Sequence, residues 1–436
     1  MRAVKCLVAG ARPVRRRLLC TVWVLAAASA CSGGIGGDAP PSGRGTPAVA
    51  PITVDEAPLW RTPGNLGPYE RVTVHGDSLL INGSTEDAQA QRLVAFDLET
   101  GSVRWRVDSR TRLPGDDRAR LDEPRDNPAP LVAGGDEAWT VLVPFSHWCH
   151  PYADGCAGDP ADETGFGVAA LSGTDGTVRW KAPMVPTNAG SGPAHQLLAA
   201  DENIAVSVVV VGCCEVGDLA KVRIVATNVS DGSQAWESGG SWPQFVAGGS
   251  VLGVTSGRMP VPGSGADYLR DGSTVVALDA KTGAKKWDLA DRYESATVVS
   301  ALGDVAVIET LDEDRRTFRS FAIDADTGKE IAELGASEDG LPCEGDEDTL
   351  IVCRQHGRGD LVTFDIDRRR VSAGESVPAL GGAWHGYVLA GYRITDRKGT
   401  TVAEFPPYVT VLAMSQNHVI LYDGNRQEYT VRRITR

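Results

Sequence analysis

Lysine is scarce in this chain, with 8 Lys against 35 Arg. The imbalance reads as a coding bias and carries no binding signal of its own. Long apolar runs are also missing. The only candidate, residues 18–30 (LLCTVWVLAAASA), is thirteen residues long. A spanning helix needs ~20. Long helical patterns are absent. No Gly-x-Ser-x-Gly, His-Glu-x-x-His or phosphate-binding glycine-rich loop occurs, which removes the common hydrolase and nucleotide-binding readings. No Cys-x-x-Cys-His is present to attach a haem. Positive charge is short beyond residue 30: 37 basic residues face 57 acidic ones, a net charge of −20. A surface that acidic disfavours nucleic acid as a partner.

What is present fits a folded, turn-rich chain. Hydrophobic residues make up 42% and charged residues 23%, alongside 50 Gly and 25 Pro. Residues 12–17 (RPVRRR) and the apolar run after them have the form of a secretory signal over residues 1–30. Ala28-Ser29-Ala30-Cys31 then resembles a bacterial lipobox, which makes Cys31 the expected lipidation site. Plain cleavage after Ala30 is the alternative. Arg15-Arg16-Arg17-Leu18-Leu19 also fits a loose twin-arginine pattern beside the general export route. Residues 31–51 follow with Gly, Pro, Ser and Ala and almost no apolar bulk, the composition of a tether. The expected product is an exported monomer anchored at the cell membrane and facing the extracytoplasmic side.

Self-similarity organises residues 52–436. In LVAFDLETGSVRWR (93–106), Asp97, Gly101 and Trp105 fall four residues apart, and in VVALDAKTGAKKWD (275–288) Asp279, Gly283 and Trp287 do the same. Residues 168–181 keep Gly176 and Trp180 with Ser172 at the Asp position. Residues 224–237 keep Gly232 and Trp236 with Asn228 there. Residues 320–333 keep Asp324 and Gly328 but place Ala332 at the Trp position, and residues 361–373 keep only Asp365. The unit reads as a β-hairpin. A strand runs into Asp, whose carboxylate bonds backbone two residues on. Glycine supplies the positive φ of a tight turn. A second strand presents a flat indole suited to packing between sheets.

Another strand and turn precede each hairpin, which gives eight units over residues 56–436, or about 48 residues each, near the period of propeller blades. The isolated Trp60 segment (APLWR, 57–61) matches an outer strand with no strands before it, and the last unit lacks a Trp. Trp60 therefore completes the last blade and closes a ring. The expected fold is all-β, an eight-bladed β-propeller of four-stranded antiparallel blades, with seven blades as the alternative.

The Ala-x-Asp-x-x-Thr-Gly-x-x-x-Trp pattern at 95–105 and 277–287 resembles the pyrroloquinoline-quinone-type (PQQ-like) propeller repeat. That family includes quinoprotein dehydrogenases, the lipoprotein scaffold of outer-membrane protein assembly and sensor domains of membrane kinases. The resemblance therefore implies a fold and not one activity.

Six cysteines lie beyond the leader: Cys149, Cys156, Cys213, Cys214, Cys343 and Cys353. An even number in an exported chain reads as disulfides. Cys149/Cys156 and Cys343/Cys353 are short-range pairs able to clip insertion loops. Cys213 and Cys214 either bond each other or reach elsewhere, and sequence alone allows fifteen connectivities. PQQ-dependent alcohol dehydrogenases carry a vicinal disulfide against the cofactor. The Ca²⁺ ligands and catalytic Asp of those enzymes have no assignable positions here, so neither PQQ nor any other cofactor is expected. His147, Cys149, His150 and Cys156 match no recognised metal spacing and read as a disulfide-closed loop. Asp324-x-Asp326-x-Gly328 invites a calcium reading but lies on the repeat's own turn. Glu344-Asp346-Glu347-Asp348 reads as a solvated acidic loop. Residues 109–133, polar and proline-bearing, read together with 145–165 as the longest surface outside the repeat.

No catalytic, cofactor or metal residue is assigned. The expected function is non-catalytic, a binding or scaffold protein at the cell envelope with a protein partner at the membrane surface. An extracytoplasmic small-molecule sensor is the first alternative, and a quinoprotein dehydrogenase the second.

Overall fold

Each blade begins where an apolar, β-branched run meets a glycine turn and folds back on itself, and eight such sheets follow one another along the chain. The computed structural model describes residues 51–62, 71–84, 91–108, 119–121, 131–134, 139–147, 165–184, 195–210, 222–255, 272–312, 317–355 and 357–435, which contain no helix. The leader, Cys31, the linker up to residue 50, and Cys149, His150, Cys156, Cys213 and Cys214 lie outside the described residues.

Two short strands come first, β1 (Thr53–Val54) and β2 (Trp60–Arg61). Blade 1 holds β3 (Arg71–His75), β4 (Ser78–Ser84), β5 (Gln91–Asp97) and β6 (Val103–Asp108). In blade 2, β7 (Ala119–Leu121) and β8 (Leu131–Ala133) share the first position, before β9 (Thr140–His147), β10 (Gly165–Ser172) and β11 (Val178–Met184). Blade 3 is β12 (His195–Ala200), β13 (Ile204–Val210), β14 (Val222–Asn228) and β15 (Gln234–Gly239). Blade 4 is β16 (Trp242–Ala247), β17 (Ser250–Thr255), β18 (Thr274–Asp279) and β19 (Lys285–Asp288).

Blade 5 is β20 (Ala296–Leu302), β21 (Val305–Leu311), β22 (Phe318–Asp324) and β23 (Glu330–Ser337). Blade 6 is β24 (Cys343–Gly345), β25 (Leu350–Arg354), β26 (Asp360–Asp365) and β27 (Arg370–Ser376). Blade 7 is β28 (Gly382–Trp384), β29 (Tyr387–Ala390), β30 (Arg393–Asp396) and β31 (Thr401–Glu404). Blade 8 is β32 (Val409–Met414), β33 (His418–Asp423) and β34 (Glu428–Thr435). Its outer position is filled by β1 and β2, where Thr53 pairs with Thr435 and Trp60 with Val431. The first and last segments thus share one sheet, which leaves no free edge at the seam.

From blade 2 to blade 8 the first strands contact one another, β3 meets β32, and blades 1 and 2 share an apolar core, so the first strands line the inside of a closed ring of eight blades. Every junction between blades has its own apolar core. Leu80, Trp105 and Phe145 pack between blades 1 and 2, for example, and Leu79, Phe96 and Ile420 pack between blades 8 and 1. Antiparallel order gives the ring two unlike ends. Turns from first to second strand and from third to outer strand lie at one end, here called the short-turn face, and span only a few residues. The connections from second to third strand and from blade to blade lie at the other.

Three sequence expectations need correction. Residues 109–133 are not wholly outside the repeat, because β7 and β8 both pair with β9 and divide the inner strand of blade 2 between them. Polar residues between two three-residue strands hid that strand. The acidic run is not a solvated loop throughout. Asp346 is buried, because its Oδ1 accepts the backbone N–H groups of Asp348, Thr349 and Leu350, which satisfies the carboxylate without water. Cys343 and Cys353 do form a disulfide, but it joins directly paired residues of β24 and β25 inside blade 6 and clips no loop.

Candidate functional site

The short-turn face carries most of the residues singled out by the repeat. In blade 1, Asp97 Oδ1 accepts from the backbone N–H of Glu99 at 3.1 Å and of Thr100 at 2.8 Å, while Arg104 donates to its Oδ2 at 2.6 Å. The Arg104 guanidinium, then the Thr100 donors, hold the Asp97 carboxyl at about 2 despite partial burial. Asp279 is arranged in the same way by Lys281 and Thr282. Asp324 accepts from Thr327 at 2.8 Å. Blades 2 and 3 have Ser172 and Asn228 instead, and there Asp175 and Asp231, two residues before Thr177 and Ser233, accept from those backbone N–H groups. Asp324 and Asp326 are therefore turn residues. Lys286 of blade 4 reaches across to Asp326.

Each repeat tryptophan docks on the turn of the next blade. Trp60 donates its indole N–H to the Leu98 carbonyl at 2.8 Å, Trp105 to Gly173 at 2.8 Å, Trp180 to Val229 at 2.7 Å and Trp236 to Ala280 at 2.8 Å. Trp287 donates to the Asp326 carbonyl at 3.0 Å. The ring of each indole lies over the glycine that follows. A Cβ on Gly101 would stand 2.5 Å from Trp60, and one on Gly176, Gly232, Gly283 or Gly328 would meet Trp105, Trp180, Trp236 or Trp287 within 3 Å. These glycines also have φ between +67° and +75°. Two independent reasons therefore require glycine at these positions.

The other three junctions lack an indole, and polar side-chain links cross two of them, those between blades 5 and 6 and between blades 6 and 7. Arg369 stands at the glycine position of blade 6 with φ +50° and pairs with Asp304 of blade 5. Glu309, buried in β21, accepts the Leu341 backbone N–H from the start of blade 6, and burial pushes its carboxyl up. Asp346 Oδ2 accepts from Gly386 N–H of blade 7 at 2.8 Å, and its carbonyl accepts from His385 N–H. The seam adds polar links to its indole: Glu99 of blade 1 accepts from Arg433 and lies 3.1 Å from His418 Nε2 of blade 8. Sequence reading missed these links. Only Arg369 left a signal, as a non-glycine residue four positions after Asp365.

A PQQ centre needs Ca²⁺ held by converging carboxylate or amide ligands. Among the described residues, no three His, Cys, Asp or Glu side chains converge as a metal site.

The closed ring of eight blades, with a hairpin repeat docked indole to glycine, defines a PQQ-like repeat β-propeller. The chain belongs to the family described as outer membrane protein assembly factor BamB, whose model matches residues 49–241, 168–340 and 220–428. No curated protein matches the sequence. Among solved structures, BamB from Moraxella catarrhalis is similar at 13% identity, with 83% of this chain and 96% of that chain covered and a TM-score of 0.38. A europium-containing methanol dehydrogenase is similar at 11% identity over 86% of this chain and 84% of that one, with a TM-score of 0.42. Quinohemoprotein alcohol dehydrogenase from Comamonas testosteroni is similar at 13% identity over 88% and 76%, with a TM-score of 0.44. The family assignment rests on the family match and not on these structures.

Proposed function

We propose that this protein is a non-catalytic binding or scaffold protein of the cell envelope, held at the membrane by a lipid on Cys31 and facing the extracytoplasmic side as a monomer. The observation that carries this reading is the match, over nearly the whole ring, to a family described as an assembly factor. The fate of the repeat residues supports it. The Asp, Gly and Trp side chains that give the sequence its character are engaged in turns and in docking one blade to the next. Its partner is a protein at the membrane surface.

The test is crosslinking in intact membranes, followed by recovery of the chain and identification of what is joined to it. A single reproducible protein partner is the expected result. Dye-linked oxidation of an alcohol or sugar on adding PQQ and Ca²⁺ would overturn the reading in favour of an enzyme. A rise in melting temperature with one small molecule, and no crosslinked partner, would favour a sensor.

A further inference from the structure

The short-turn face is uneven in charge. Between third and outer strands, blades 1 to 3 carry Glu99, Asp175 and Asp231, blade 4 carries Lys281, and blade 5 carries Asp326 with Lys329. The two turns without a docked indole differ. In blade 6, Arg368 and Arg369 are followed by Arg370 at the start of β27, against Asp367. In blade 7 the turn holds Arg397 and Lys398 and no acid. The outer strand of blade 6 meets the turn of blade 7, since the Glu375 N–H of β27 donates to the Lys398 carbonyl. Arg368, Arg369, Arg370 and Lys398 are all exposed. Arg368 folds back on Asp365 and Arg369 reaches Asp304, while Arg370 and Lys398 have no ion pair among the described residues. Glu347 and Asp348 lie on the inner turn of blade 6, with Asp348 3.6 Å from His385 Nδ1.

A second observation concerns where the chain enters the ring. The last strand, β34, runs towards the short-turn face, where Ile434 N–H donates to the Asn417 carbonyl in the turn between β32 and β33. Thr53 pairs with Thr435 at that end. The chain therefore enters at the outer position of blade 8, on the same face as the cationic turns and next to blade 7. Twenty residues of the sequence separate Cys31 from Ile52.

From these two observations we infer that the cationic rim of blades 6 and 7 docks on an anionic phospholipid surface. The inference rests on the anchoring reading of Cys31. The net charge of −20 does not oppose it strongly. Exposed charges more than about 8 Å from the surface are largely screened at physiological ionic strength. Each basic side chain close to an anionic leaflet strengthens binding roughly fivefold. Turns freed from docking an indole can carry such residues, and the indole-bearing turns carry fewer.

The test compares full chains with vesicles of phosphatidylcholine alone or with 30% phosphatidylglycerol. The chains are the parent, Cys31→Ser, and Arg370→Glu/Lys398→Glu in each background. Binding of the parent to neutral vesicles, lost in Cys31→Ser, reads the anchor. The gain on adding phosphatidylglycerol reads the rim, and it is measured in the Cys31→Ser chain whether or not the anchor is confirmed. The expected gain is tenfold or more at 50 mM salt, lost at 500 mM and lost in the double variant. Arg370→Gln/Lys398→Gln, with an unchanged melting temperature, should lose most of it. A gain independent of Arg370 and Lys398, no gain, or binding of polyglutamate without binding of vesicles would overturn the inference.

Discussion

Trp60, in a strand that the N-terminal segment adds to blade 8, lies against Gly101 of blade 1 and donates its indole N–H to the neighbouring Leu98 carbonyl. This contact closes the ring, and its geometry recurs at the four junctions from blade 1 to blade 5. Stability there depends on two residues in different blades, one large and flat, the other without a side chain.

Gly232→Ala and Gly240→Ala separate the two demands on glycine. Both residues have positive φ, +75° and +79°, but a Cβ at Gly232 would meet Trp180 at 2.6 Å and one at Gly240 meets nothing within 4 Å. Gly240→Ala is expected to cost about 1 kcal/mol from backbone strain alone. Gly232→Ala is expected to cost roughly 2–4 kcal/mol, since the indole must also shift. Urea unfolding of both variants checks this. Equal losses would mean that the indole contact contributes nothing.

Trp236 fills the corresponding place at the next junction, buried against Ala280 and Gly283. Trp236→Ala removes both the packing and the hydrogen bond, and is expected to destabilise by roughly 3–5 kcal/mol. Trp236→Phe keeps most of the ring and loses the N–H to the Ala280 carbonyl, so the expected loss is about 1–2 kcal/mol. A phenylalanine variant as unstable as the alanine one would assign the junction to the hydrogen bond instead of to packing.

The fold was legible because this pairing leaves letters at both ends of each junction. Asp97, Gly101 and Trp105 mark a turn, its conformation and the next contact, and an unaccompanied Trp60 marks the closing strand. The inner strand of blade 2 was not legible, since two three-residue strands do not show a period of two. Asp346 was hidden for a different reason. A carboxylate satisfied by four backbone N–H groups has the same sequence context as one satisfied by water. The cationic rim was written plainly in DIDRRR and DRK, but its meaning depends on which blades are neighbours and where the chain enters.

Arg369 tests whether the glycine requirement travels with the indole. No tryptophan docks on this turn, and Arg369 holds φ +50° while pairing with Asp304. Arg369→Gly relieves about 1 kcal/mol of left-handed strain and gives up an exposed ion pair of similar or smaller worth. The expected change is within about 0.5 kcal/mol of zero. The reverse change at an indole junction, Gly328→Arg, puts a side chain where Trp287 lies and should cost more than about 3 kcal/mol. Melting curves of the two variants measure the asymmetry, and comparable losses would refute it.

Glu309 makes the stability of the junction between blades 5 and 6 depend on pH. Its side chain is 7% exposed. Burial raises its carboxyl above the ordinary 4.5, and the hydrogen bonds from Leu341 N–H and Ser320 Oγ only partly offset that. The folded chain therefore holds a proton that the unfolded chain has already released. Stability from this group is greatest below the ordinary value. It falls as pH rises from 4.5 through the raised value, and the loss is complete above it. Glu309→Gln removes the titration and keeps an oxygen to accept from Leu341. Relative to the parent, the glutamine variant should gain stability across that window by about 1.4 kcal/mol for each unit by which the carboxyl is raised. Glu344 and Glu347, whose carboxyls are also raised, remain in both chains and cancel in the difference. Urea midpoints of both chains between pH 4.5 and pH 8 give that difference directly. A difference flat with pH would show that the carboxylate at this junction is as well solvated by its two donors as it is by water.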